Sequence, residues 1–244
     1  MIDKNAYYVD KTNLIENVLN EQNVFFTRPR RFGKTLNMSM LYYFFSIKEK
    51  ENAYLFNGLN ISKNKKAIKH QNQYPTLFIT LKDMKNSSYE KQMNRFKEII
   101  CLCAKNFLEL LDSDELLDSE KKLFQKYVDN ETEDNELERE IFNISYFLYK
   151  HYHQKVIILI DEYDVPLQAA YQYNYYDEMV EFLRSVFSSA LKTNDALEKG
   201  IMAGCLRISK ESIFTGLNNF KAYSILYKSK NEYFGFTKKE ILQL

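Results

Sequence analysis

With 244 residues, of which 45% are hydrophobic and which include 19 Tyr and 18 Phe, the chain can bury the core of one large α/β domain. Six Gly and three Pro exclude a loop-rich or disordered protein. No run approaches the roughly 20 apolar residues of a membrane helix, and a formal charge of +1 excludes a global field that would recruit nucleic acid or an acidic membrane. Nucleic acid therefore enters only indirectly, through a local patch or through sequence outside this chain. Three cysteines make no disulfide framework, and Met1–Asp10 lacks the apolar centre of a signal peptide, so a cytoplasmic protein is expected.

Asn23–Thr27 (NVFFT) is an apolar run that stops at a basic turn, after which Leu36, Met40, Tyr43, Phe44 and Ile47 recur at helical spacing. This segment reads strand, loop, helix. The lysines of 63–69 read as a solvated loop, and Pro75–Leu81 (PTLFITL) as a second strand. From about 89 to 153 the pattern is helical, with one stripe at Phe96, Ile99, Ile100, Cys103, Phe107 and Leu110 and another at Leu137, Ile141, Ile144 and Leu148. Acidic residues in 129–140 separate the two. The spacing predicts a helical insertion over about 86–153 that covers one side of a sheet.

Val156–Ile160 (VIILI) has the character of a parallel strand buried on both faces. Met179, Val180, Leu183, Val186, Phe187 and Leu191 mark an amphipathic helix. Gly200–Leu206 and Ala222–Leu226 are two further strand candidates. Strands alternating with helices predict an α/β fold, a parallel sheet sandwiched by helices with the insertion before the Asp–Glu strand. Thr237, with Glu240 three residues later, is the signature of a capped helix, which has barely two turns before Leu244. The expected organisation is a P-loop domain over 1–230 and the start of a truncated C-terminal helical region over 231–244.

Two motifs carry the chemistry. Arg28-Pro-Arg-Arg-Phe-Gly-Lys-Thr35 lies between a strand and a helix, where backbone N–H groups and the helix N-terminus can cradle phosphate oxygens. Arg30, Arg31, Phe32, Gly33, Lys34 and Thr35 are the expected nucleotide-binding residues. Lys34 would meet the β- and γ-phosphates and the Thr35 hydroxyl would ligate Mg²⁺. Arg28 stands where such loops carry their first glycine, and four cations within seven residues call for neutralising anions.

The second motif ends the run Val156–Ile160 with Asp161 and Glu162, two carboxylates of the kind expected on a strand beside the phosphate loop. Asp161 would hold Mg²⁺ with Thr35, and Glu162 would orient or deprotonate the attacking water. His151 and His153 lack a third nearby ligand, and Cys101 and Cys103 fall on different faces of a helix as core residues. Tyr171–Tyr176 (YQYNYY) could stack on a base or pack as a loop edge.

Together with Tyr7–Thr12 (YYVDKT), Phe56–Leu59 (FNGL), Ser209–Asn219 (SKESIFTGLNN) and Phe234–Thr237 (FGFT), these motifs make the chain resemble the AAA-ATPase-like family of bacteria and archaea. Members often carry a PD-(D/E)XK-type nuclease domain after the ATPase region. The resemblance spans nearly the whole chain, and RPRRFGK[ST] is the family's own form of the loop. It implies ATP as substrate with Mg²⁺, a strand interposed between the phosphate loop and the Asp–Glu strand, and a γ-phosphate-sensing arginine after that strand. Arg207 fits that position. The catalytic set expected is Glu162, Lys34 and Arg207, driving a conformational switch or motor with self-association or a C-terminal effector domain as partners. The alternative is an ATP-binding regulatory module with little turnover.

Overall fold

The computed structural model describes residues 8–206, 220–225 and 228–242. Five strands among them, β1 (Asn23–Thr27), β2 (Thr76–Thr80), β3 (Val156–Asp161), β4 (Leu197–Gly204) and β5 (Phe220–Tyr223), form one parallel sheet in the order β2-β3-β4-β1-β5. The α-helices among the described residues are α1 (Asn13–Leu19), α2 (Lys34–Phe45), α3 (Lys65–Ile68), α4 (Tyr89–Ala104), α5 (Asp118–Asp129), α6 (Glu140–Tyr152), α7 (Val165–Gln172), α8 (Tyr176–Leu191) and α9 (Lys238–Ile241).

Strand periodicity divides the core in two. Ile158 and Ile160 of β3 point into a cluster with Leu77, Phe96, Ile144 and Leu183, whereas Ile157 and Leu159 point into one with Val24, Phe26, Leu41 and Phe44. Side chains alternate across a strand, so a central strand covered on both faces must be apolar at every position. The segments from α4 to α6 cover the first face, as the apolar stripes predict. The helical run is broken, however. α4 ends at Ala104, and tighter turns run over Lys105–Asp112 with a kink at Phe107, φ −133°. Phe107 and Leu110 are still buried in the core.

Several strand boundaries differ from the sequence expectation; β4 and β5 both start earlier, and β4 ends at Gly204 instead of Leu206. β4 begins at Leu197 instead of Gly200, although Glu198 and Lys199 are charged. Lys199 is buried there because its ammonium donates to the carbonyls of Leu19 at 3.0 Å and Glu21 at 2.7 Å, supplying the partners that a buried cation needs. β5 begins at Phe220, two residues before the expected start, in register with Asn23 of β1.

The motif around Asp10 has a structural role. Its carboxylate accepts from the Thr12 N–H at 2.9 Å, the Thr12 hydroxyl at 2.6 Å and the Asn60 N–H at 2.7 Å, while the Thr12 hydroxyl accepts from the Ile61 N–H at 3.1 Å. The N-terminal segment is thereby tied to the turn that follows Phe56–Leu59. At the other end, Thr237 and Glu240 form the expected capping box of α9.

Candidate nucleotide site

β1 delivers the loop 28–33 to the C-terminal edge of the sheet, where α2 starts directly at Lys34. Gly33 has φ 75°, a left-handed conformation that glycine adopts without strain. Arg31, at φ 68°, takes the same region without that freedom. The three arginines of the basic run differ in their surroundings. Arg28 is 1% exposed, and its guanidinium donates to the carbonyls of Thr27 at 2.8 Å and Tyr223 at 2.5 Å and to Asn231 Oδ1 at 3.2 Å. It also lies 4.7 Å from the ring centre of Phe234. Burial pulls its pKa down to about 10. Among the described residues, backbone carbonyls, an amide and a ring contact this cation.

Arg30 and Arg31 are both exposed. Arg30 Nη2 donates to Gln168 Oε1 at 3.2 Å and lines a cavity of about 660 Å³ with Thr35, Glu162, Lys82 and Lys85. Arg31 lines a second, smaller cavity with Phe32 and Gly33.

Lys34 is buried. Its ammonium contacts the Pro29 carbonyl at 3.3 Å, Cys205 Sγ at 3.1 Å and Glu162 Oε1 at 3.6 Å. The Thr35 hydroxyl donates to Asp161 Oδ2 at 2.7 Å, joining the start of α2 to the end of β3. Asp161 is fully buried, and burial raises its pKa against the Thr35 hydrogen bond that lowers it. Glu162 has φ 57°, and its N–H donates to Asp161 Oδ1 at 3.0 Å. A left-handed non-glycine residue immediately after a buried strand is strained by about 1–3 kcal/mol, a cost that recurs where a side chain must be aimed.

β4 lies between β1 and β3. The Asp–Glu strand is therefore not beside the phosphate-loop strand, as the motif alone suggests, but one strand removed, as the family resemblance implies. The sites still meet because Lys34 and Thr35 extend from α2 over the end of β4.

Three residues at this junction escaped the sequence reading. Asp164 is buried and accepts from the N–H groups of Cys205 and Leu206, each at 3.0 Å, and from Gln168 Nε2 at 2.7 Å. It fixes the exit of β4, and a Cβ at Gly204 would lie 2.5 Å from Asp164 Oδ1. Gln168 then connects Asp164 to Arg30. Cys205 supplies the sulfur beside Lys34. The third acidic residue of Asp161-Glu-Tyr-Asp164, directly before Val165-Pro166, was the available signal for Asp164; Gln168 and Cys205 had none. Arg207 lies outside the described residues. Among the described residues no cluster of three or more His, Cys, Asp or Glu side chains is arranged to hold a metal ion.

An α/β fold with a five-stranded parallel sheet, helices on both faces and a glycine–lysine–threonine turn opening a helix at the strand ends defines a P-loop NTPase architecture. The family model described as Predicted AAA-ATPase matches residues 1–214, and the chain belongs to that AAA-ATPase-like family. No curated protein and no solved structure matches it. Membership supports an ATP-related function in general terms. No described helix is long and apolar enough to cross a membrane.

Proposed function

We propose that this chain binds Mg-ATP between residues 28–35 and Asp161–Glu162 and hydrolyses it in the cytoplasm, as a switch or motor that acts on a C-terminal effector. The observation that carries this reading is the convergence of Lys34 and Thr35 with Glu162 and Asp161, at 3.6 Å and 2.7 Å, from elements over a hundred residues apart.

The donor set suits Mg²⁺. A hydroxyl and a buried carboxylate are hard oxygen ligands, and Asp161, disfavoured as an anion by burial, gains from a cation beside it. Thr35 and Asp161 are the residues that would hold the ion, which supplies neutralisation of the β- and γ-phosphate charge. Arg30, Arg31, Phe32 and Gly33 frame the phosphates with the loop backbone. Lys34 exchanges its contact with Glu162 for a phosphate oxygen. Glu162, so released, accepts a proton from water as the water oxygen bonds to the γ-phosphorus and the bond from that phosphorus to the β–γ bridging oxygen breaks. ADP and phosphate are the products. Arg207, three residues past the end of β4, is assigned the γ-phosphate contact, where a planar guanidinium stabilises charge on the transferring group.

Phosphate release by wild type and Glu162→Gln, at nucleotide concentrations saturating both, tests the hydrolytic part. Loss of general-base assistance is expected to slow turnover about 100-fold or more with binding retained. Equal rates contradict the role of Glu162. Saturable binding without phosphate release by wild type favours a regulatory module instead.

A further inference from the structure

The proposed nucleotide site leaves the tyrosine-rich segment 171–176 without a role, and the structure divides that segment. α7 ends at Gln172, with the Tyr173 N–H donating to the Ala169 carbonyl and the Tyr175 N–H to the Ala170 carbonyl, each at 3.0 Å. Asn174, between them, takes the left-handed conformation at φ 62°. This turn sends Tyr175 into the core, 6% exposed, and leaves Tyr171 and Tyr173 uncovered, 76% and 43% exposed. Tyr173 lines the 660 Å³ cavity together with Arg30, Lys82, Lys85, Gln168 and Gln172.

Lys82 and Lys85 come from the loop after β2, which leaves the sheet beside the Asp–Glu strand. Thr80 pairs with Asp161, and the Leu81 N–H donates to the Asp161 carbonyl at 3.0 Å. Within the loop Met84 is fully buried and its carbonyl accepts from Gln92 Nε2 at 2.9 Å, while both lysines stay exposed. The Tyr175 hydroxyl donates to the Asn86 carbonyl, which ties the basic loop to the tyrosine turn. The lysines and Tyr173 are thus presented together from a common buried anchor. Among the described residues Arg30, Lys82 and Lys85 form no ion pair, and Glu162, the carboxylate in the cavity wall, is taken by Lys34 at 3.6 Å. Three cations around one cavity repel one another, a cost that an anionic ligand removes.

We propose that this surface binds single-stranded nucleic acid, with Lys82 and Lys85 on backbone phosphates and an unpaired base stacked on Tyr173. A chain of net charge +1 has no global field to hold a polyanion, so binding must come from a local cluster such as this one. Cations beside an uncovered aromatic ring suit an unpaired strand, because the charges track the phosphates and the ring accepts a base of any sequence. A duplex hides its base faces, and a polyglutamate chain has no ring to stack. Thr35 and Glu162 line the same cavity, which puts a bound strand next to the residues proposed for magnesium and water.

Fluorescence anisotropy of a labelled oligothymidylate of about 12 nucleotides, a length that such sites cover, tests this on the full chain without ATP. Wild type is expected to bind at low salt and to weaken as salt rises. Lys82→Ala combined with Lys85→Ala should lower affinity about 5-fold or more and flatten the log–log salt slope by about 1.4, the value for two phosphate contacts. Tyr173→Ala should lower affinity about 5-fold or more at an unchanged slope, since stacking on one ring carries that much. All three side chains are exposed, so neither variant threatens the fold. No binding at low salt, or an affinity that both variants leave unchanged, overturns the proposal. Equal affinity for a duplex of the same length, or for polyglutamate of the same charge, overturns it too, because stacking would then play no part. Because no nucleotide is added, this proposal and the Mg-ATP site can fail independently.

Discussion

Lys34 Nζ and Glu162 Oε1 lie 3.6 Å apart, with the lysine 4% and the glutamate 22% exposed, so the side chains proposed for phosphate contact and for water activation neutralise one another without nucleotide. An arriving phosphate must break this pair. Glu162→Gln removes the competing carboxylate, and ATP affinity is expected to rise about 2- to 5-fold, the range of a partly solvated ion pair. Equilibrium titration checks this. A tenfold loss of affinity would instead make Glu162 a binding residue.

The Thr35–Asp161 hydrogen bond of 2.7 Å places a hydroxyl and a carboxylate where one cation can be shared. In Thr35→Ala and Asp161→Asn, raising Mg²⁺ from zero to millimolar should no longer strengthen ATP binding, whereas wild type should gain about tenfold or more. A wild-type affinity indifferent to Mg²⁺ would contradict the assignment of both ligands.

Arg28 joins β1, β5 and the C-terminal segment through Thr27, Tyr223 and Asn231. Arg28→Ala leaves buried acceptors without their donor and should cost about 3 kcal/mol, which lowers Tm by roughly 6–12 °C for a chain of this length. Arg28→Lys should recover little, because an ammonium cannot reproduce the planar fork. Thermal unfolding of the two variants decides the point.

Glu140, at the start of α6, is 1% exposed, and its Oε2 is buried without a hydrogen-bond partner among the described residues. Burial raises its pKa to about 7. In the unfolded chain the group ionises near pH 4.5, so between that value and about 7 unfolding releases a proton, and stability falls as pH rises through this window. Glu140→Gln should abolish that decline and stabilise the protein by about 1–3 kcal/mol at pH 8, with little effect at pH 4. Denaturant unfolding at the two pH values measures the difference. A pH-independent effect would contradict it.

The fold was legible wherever burial is complete. β3 is apolar at each position up to Asp161 because both its faces are covered, and the run declares itself. β4 was misplaced at its start because Lys199 finds its partners in the carbonyls of Leu19 and Glu21, far away in sequence. The meeting of Lys34 and Thr35 with Glu162 and Asp161 could be anticipated from two motifs that each adjoin a strand. Asp164, Gln168 and Cys205 act through contacts between β3, α7 and the end of β4, which no local pattern encodes. The fate of Arg28 was hidden for the same reason, since its acceptors come from positions 27, 223 and 231.

Thermal unfolding with Mg-ATP, with Mg-GTP and without nucleotide, for wild type and Lys34→Ala, tests nucleotide binding at this site most directly. At 100 times its dissociation constant a ligand stabilises the native state by about 2.7 kcal/mol, a rise of roughly 5–10 °C in Tm for this size. The expected result is such a rise for wild type with ATP and none for Lys34→Ala. No rise for wild type at millimolar Mg-ATP, or an equal rise in Lys34→Ala, would contradict a nucleotide site at residues 28–35.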